Sequence, residues 1–298
     1  MYKIVTDGSC DFDEELSKKF NVEVVPFYVS KRGDENHGKE GIDITVREFY
    51  QFMIDNPKVF PKTSMPSIQD YIDVFEPILK RGEDIICICI TTKFSGSYNS
   101  ASNAKDMLLE DYPDRKIVVI DSKINTVLQG LLVEETSEMK KDNYDFDEVV
   151  NTIETIKPTG RIIFTIGSMS YLVAGGRVGK LSGIGAGVLG IKPNIVLKEG
   201  EIFNEGISRG RKKSLQKVID TTIKHFKDNN INPNDYKFCI GFGYDKEEGQ
   251  RFLDAMTDAL KTNFKDFSQN IYLRQIGATI SVHTGPHPLG IAFIKKYK

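Results

Sequence analysis

The sequence has no cysteine pair at C-x-x-C spacing, no surplus of basic residues and no apolar run near the roughly 18 residues of a membrane span. Each absence removes a class of function. With 40 Lys and Arg against 42 Asp and Glu, and a formal charge of −2, the chain lacks the basic excess with which proteins hold nucleic acid. Its Lys and Arg are interspersed with acids rather than gathered in a stripe. The start, Met-Tyr-Lys-Ile-Val-Thr-Asp, reads as a strand entering a loop, with no basic leader and no apolar signal core. The expected location is therefore the cytoplasm, and contact with a membrane surface would be transient. Cys87 and Cys89 lie two apart and would face the same way on a strand. Without clustered histidines they read, with Cys10 and Cys239, as small buried apolar residues rather than a metal or redox site. No internal repeat appears at solenoid periods.

What is present is an ordinary globular composition. The 298 residues, 40% hydrophobic and 28% charged, can build two ordinary domains or one large one. The first half alternates strand and helix. Strands are expected at 2–6, 22–29, 85–90 and 116–120, and helices at 13–20, 45–54, from 67, at 96–109, through 128–139 and at 147–156. Thr45 and Ser67 are helix caps, Ser67 with Asp70 three positions on, and a charged, Gly-rich excursion fills 31–41. This rhythm predicts a parallel sheet covered on both faces.

The second half predicts a mixed sheet. Strands are expected at 161–166, 237–244, 271–273, 278–283 and 289–294, with a hairpin turning at Lys198-Glu199-Gly200 and helices at 212–226 and 247–264. The fold class is thus α/β with two domains. Residues 1–158 form an N-terminal three-layer domain and 159–298 a mixed-sheet α/β domain, with the boundary at Pro158-Thr159-Gly160.

Four segments carry candidate chemistry, all at strand ends or helix starts. In Thr91-Thr92-Lys93-Phe94-Ser95-Gly96-Ser97, Ser95 can donate its hydroxyl and Gly96 lets an anion approach helix-start N–H groups. Ser95 can equally be no more than the cap of that helix. Pro61-Lys62-Thr63-Ser64-Met65-Pro66 is a loop stiffened by two prolines that would hold Thr63 in place. His283, expected at a strand end before Thr284-Gly285-Pro286-His287, can hydrogen-bond an oxygen or, protonated, balance an anion; a structural role is the alternative. Arg177, in Gly175-Gly176-Arg177-Val178-Gly179-Lys180, can meet an anion or a partner. That segment is not a phosphate-binding Walker loop, and Gly183-Ile184-Gly185-Ala186-Gly187 lacks the strand and acid of a dinucleotide site. Asp7 and Asp121 end strands and could meet at the sheet edge to bind a metal or take a proton, or could fix their own loops. Ser95 lacks the Gly-x-Ser-x-Gly elbow of a nucleophile.

Together these segments resemble the DegV family of bacterial proteins. The matches are Thr6-Asp7-Gly8-Ser9, Thr63-Ser64-Met65-Pro66-Ser67, Phe94-Ser95-Gly96-Ser97-Tyr98-Asn99-Ser100-Ala101, Asp121-Ser122, Gly176-Arg177-Val178-Gly179-Lys180, Ile191-Lys192-Pro193 and His283-Thr284-Gly285-Pro286. His287 departs from the small residue that usually follows. The resemblance implies a non-enzymatic lipid carrier that binds a long-chain, palmitate-like fatty acid between two domains, without a cofactor or metal. It further implies an ATP-dependent fatty acid kinase as a separate partner that phosphorylates the presented carboxylate. Thr63, Ser95, Gly96 and His283 would then hold the carboxylate, and Arg177 would lie near the entrance or a partner surface. The Gly-rich stretch 172–197 would wall the acyl tunnel. The competing reading is a phosphoryl- or acyl-transfer enzyme using Asp7, Asp121 and Ser95.

Overall fold

The computed structural model describes residues 1–32, 37–181 and 190–298. In chain order the first half runs β1 (Tyr2–Asp7), α1 (Glu14–Phe20), β2 (Val22–Val25), β3 (Tyr28–Ser30), β4 (Gly38–Lys39), α2 (Val46–Asp55), β5 (Lys62–Ser64), α3 (Ile68–Lys80), β6 (Asp84–Cys89), α4 (Ser97–Asp111), β7 (Ile117–Asp121), α5 (Thr126–Lys141) and α6 (Phe146–Ile156). Helices α1, α2, α3 and α6 start where side chains replace the missing intrahelical acceptors. Thr45 with Glu48, Ser67 with Asp70, and Asp145 with Glu148 each close a reciprocal capping box.

Strands β2, β1, β6 and β7 pair in that order as a parallel sheet. Strand β6 is buried from Ile85 to Cys89, as a central parallel strand must be when helices cover both faces. Tyr71 and Phe75 of α3 and Ala101 and Ala104 of α4 pack on Val5, Ile85 and Cys87. On the opposite face Leu128, Leu131 and Leu132 of α5, with Val149 and Ile153 of α6, meet Ile4 and Ile86. All four cysteines are buried thiols, and Cys87 and Cys89 do face the same way, with sulfurs 3.7 Å apart.

The second half continues with β8 (Arg161–Thr165), α7 (Ser170–Ala174), β9 (Ile191–Lys198), β10 (Glu201–Arg209), α8 (Arg211–Asp228), β11 (Tyr236–Phe242), α9 (Lys246–Asn263), β12 (Ile271–Gln275), α10 (Ala278–Thr284) and β13 (Leu289–Lys295). These strands form a six-stranded sheet in the order β10-β9-β8-β13-β11-β12, antiparallel except for β11 beside β12. The expected hairpin turns at Glu199 and Gly200, both left-handed, which matches the twist of two-residue hairpins. An aromatic core of Phe226, Phe238 and Phe293 lies between this sheet and α8 and α9. Its other face meets α5, so α5 is sandwiched between the two sheets.

Three expectations need correction. The single strand at 22–29 is two strands separated at Pro26, whose ring cannot donate to a ladder. β2 stays in the parallel sheet while β3 enters a separate three-stranded antiparallel sheet, β4-β3-β5. The presumed loop around Thr63 is β5, pairing with β3 through Val29 and Thr63. The strand expected at 278–283 is helix α10. Its Ala-Thr-Ile-Ser-Val-His order alternates apolar and polar, but nearly all of its residues are buried, so the alternation marks no solvent face. Ser281 and Thr284 instead bond back to the carbonyls of Ala278 and Ile280.

Asp70 joins two of these units. One oxygen accepts from the Ser67 N–H (2.8 Å) and hydroxyl (2.6 Å), the other from the Tyr28 hydroxyl of the small sheet (2.7 Å). Burial raises its pKa, but the Ser67 and Tyr28 bonds and the charge of Lys39 outweigh this and leave it lowered. Asp70→Ala is expected to destabilise the protein by about 2 kcal/mol in urea titrations at pH 7. Because the folded pKa is depressed, that contribution is present above the ordinary carboxylate value. Wild type and variant should converge as pH falls through the lowered folded value.

Candidate functional site

Between the inner face of the six-stranded sheet, the start of α5, helix α10 and loops of the first half lies a cavity of about 1080 Å³, counting its open mouth. Its walls are mostly apolar, among them Phe27, Ile90, Ile162, Phe164, Leu197 and Ile280. This combination, an apolar slot with few polar groups, is the usual form of a small-molecule site. Thr63, Ser95, Gly96, Arg177 and His283, singled out from separate parts of the sequence, all line it.

Thr63 projects from β5 and His283 from the last turn of α10, and their Oγ1 and Nε2 atoms lie 3.3 Å apart. The other ring nitrogen of His283, Nδ1, is buried without a partner. Gly175 makes this placement possible, since a Cβ there would collide with Nδ1. Burial first, and then the positive charge of Arg177, lower the His283 pKa to about 4. The imidazole is therefore neutral near pH 7, which favours the first of its two expected roles, a hydrogen bond to an oxygen. A neutral ring has one N–H, and a buried lone pair at Nδ1 is better tolerated than an orphaned donor, which favours Nε2–H facing Thr63 and the cavity.

Ser95 sits in the loop from β6 to α4. The N-cap of α4 is Gly96, which supplies no side-chain bond. Ser95 Oγ accepts from the Ser97 N–H at 3.2 Å, leaving its own proton to donate. The loop is set from below by Asp7, which is wholly buried and accepts from Ile90 N–H (2.9 Å), Ser97 Oγ (2.7 Å), Ser9 Oγ (2.9 Å) and Gln129 Nε2 (2.9 Å). Arg177 closes the loop from above. Its Nε and Nη2 donate to the Phe94 carbonyl at 3.2 and 3.0 Å and its Nη1 to Gly175 at 2.8 Å, so it ties the Ser95 loop to the second half.

Asp7 and Asp121 do not meet. They end β1 and β7, with β6 between them, and neither lines the cavity. Asp121 instead accepts from Thr92 Oγ1 (2.8 Å) and Lys123 N–H (3.0 Å), fixing its loop. Leu172 and Leu197 line the cavity, whereas Gly183–Gly187 lie outside the described residues. His287 is exposed and is not among the lining residues. The sequence reading missed Asn125, Thr126, Thr279 and Thr284, which add polar groups to the wall. Thr126 holds a left-handed φ of 50°, and nothing local in the sequence signals it. Among the described residues no helix is long and apolar enough to cross a membrane.

The chain is similar to known proteins over nearly its whole length. A family model for DegV proteins matches residues 1–296. A DegV domain-containing protein of Clostridium acetobutylicum is 31% identical over 299 residues, covering 99% of each chain. One from Caldanaerobacter subterraneus is 32% identical over 293 residues, covering 98% of each. Among solved structures, a stearic acid-binding protein from Eubacterium ventriosum is 44% identical, with a TM-score of 0.93 over 100% of this chain and 99% of that one. A fatty-acid-binding DegV family protein from Thermus thermophilus shares the fold at 24% identity, with a TM-score of 0.83 over 99% of both chains.

The depressed His283 pKa is open to direct measurement. In a proton–carbon NMR titration its ring signals should stay in the neutral position from pH 8 down to about 5 and move only near 4. Arg177→Gln removes the repelling charge and should shift that midpoint upward. A midpoint of 6.5 or above in the wild type would contradict the buried, uncharged placement.

Proposed function

The chain belongs to the DegV family, and we propose that it binds a long-chain fatty acid in this cavity, with the carboxylate at Thr63, Ser95, Gly96 and His283. The observation that carries the reading is the convergence of these four residues on one mostly apolar cavity. A carboxylate only accepts hydrogen bonds, and two hydroxyls with a neutral imidazole offer donors to it. The acyl tail needs dry volume, and each methylene buried contributes about 0.8 kcal/mol. The tail therefore dominates affinity while the head group sets orientation. The 44% identical stearic acid-binding relative supports a saturated long chain, palmitate-like or longer, as the ligand class.

In this reading residues 1–158 supply the carboxylate-binding loops, and residues 159–298 supply most of the acyl pocket and His283. The protein is a carrier and not itself an enzyme, working in the cytoplasm with transient contact to membrane surfaces. A separate ATP-dependent kinase would receive the presented carboxylate, and the exposed Arg177 beside the cavity is the residue through which such a partner would sense the Ser95 loop. The transfer-enzyme alternative finds no support in the geometry, because Asp7 and Asp121 are consumed by loop contacts away from the cavity.

Mass spectrometry of an organic extract of the purified protein should find a co-purified acyl chain. After delipidation, calorimetry with palmitate or stearate should give binding that Ser95→Ala weakens by about 1–3 kcal/mol, the value of a hydrogen bond to a charged group. Unchanged affinity in that variant would move the head group elsewhere. Absence of both an extracted lipid and any binding would remove the reading.

A further inference from the structure

Helix α10 is only two turns long and carries His283 in the second, so whatever sets its start sets the imidazole. The first N–H groups of a helix have no partner within it. Here two acidic side chains from the first half of the chain satisfy them. Gly277 N–H donates to Asp11 Oδ1 at 3.0 Å, Ala278 N–H donates to Glu40 Oε1, and Thr279 N–H donates to Glu40 Oε2 at 2.9 Å. The Thr279 hydroxyl donates to the same Glu40 oxygen. Gly277 admits both acids, because a Cβ there would lie 2.8 Å from Asp11 Oδ1 and would clash with Glu40 Oε1. Asp11 also accepts from the Thr126 hydroxyl at the start of α5, so it bridges the starts of α5 and α10. Neither Asp11 nor Glu40 lines the cavity.

The small sheet explains how these contacts act at a distance. Glu40 directly follows β4, Thr63 is in β5, and β3 lies between them. Two strand spacings span about 10 Å, and seven helical residues rise about 10 Å. Val29 of β3 packs against Ala278 and Val282 of α10. The helix thus lies across the sheet, met at its start by Glu40 and at its end by Thr63, which touches His283.

We propose that Glu40, assisted by Asp11, is a positioning residue for head-group recognition: it fixes the start of α10 so that His283 stands against Thr63 in the cavity. The inference rests on the fatty-acid reading and names a residue that acts through His283 without touching the ligand.

The test compares hexadecanoate with hexadecanol, which share a tail and differ in the head group. Delipidated Glu40→Ala should bind hexadecanoate about tenfold more weakly, the loss of roughly one helix cap, while hexadecanol affinity changes by no more than about twofold. Glu40→Gln keeps one acceptor oxygen and should fall between wild type and Glu40→Ala, with a shifted His283 ring signal in NMR spectra. Equal weakening of both ligands, or no change in either, would overturn the proposal, the first by reducing Glu40 to general support of the fold. If Glu40→Ala does not fold, Glu40→Gln decides: a wild-type affinity ratio and an unmoved ring signal defeat the inference. Wild-type protein that binds neither ligand would defeat the fatty-acid reading instead, while the ring signal of Glu40→Gln still reports on the placement of His283.

Discussion

Helix α5 is the spacer on which the rest of the molecule is hung. It packs one side on the parallel sheet and the other on the six-stranded sheet, and nearly all of it is buried. Two glutamates within it, Glu134 and Glu135, would be costly there without partners. Glu134 pairs with Arg274, and Lys237 reaches Glu135 at 2.6 Å and Glu138 at 2.9 Å, so the charged contacts bolt the helix to β11 and β12. Such pairs add little net stability, but removing one partner strands a buried charge, and this makes the docking specific. The cavity follows from the same arrangement. The sheets are held apart by a helix, and the cavity opens where that helix begins, at Asn125, Thr126 and Val127.

Around that gap the two halves contribute different things. The inner face of the six-stranded sheet supplies apolar wall through Ile162, Phe164, Leu197 and Ile202. The first half supplies polar loops whose shape is fixed from behind. Asp7 organises the segment from Ile90 to Ser97 without reaching the cavity, and Arg177 spans from the other half to the carbonyl of Phe94. Ser95 is therefore firmly mounted although it stands on a loop, and Thr63 is held by its place in β5.

How much of this the sequence disclosed depended on how local the physics was. Thr45 and Ser67 were legible as caps because both partners of each capping box lie within four residues. Strand β6 was legible because burial on both faces leaves a continuous apolar run. Thr63, Ser95, Arg177 and His283 were found through ordered motifs, and the cavity does bring them together. Helix α10 and the β4-β3-β5 sheet were not legible, because what holds them is distant: Glu40 caps a helix 238 residues away. Asp11 and Glu40 look like ordinary loop acids until the fold brings Gly277 to them. Pro26 was a local sign that could have split the strand at 22–29, and weighing it would have separated β2 from β3.

The contact between Thr63 and His283 closes a loop of 220 residues. Contacts this far apart in sequence carry a large closure entropy and form late. A chain still emerging from the ribosome holds Thr63 and Ser95 long before α10 and β13 exist to face them. The cavity therefore cannot grip anything until the chain has been made through β13. Whatever then fills it stabilises the closed fold by mass action, so occupancy is a seal placed on the meeting of Thr63 and His283.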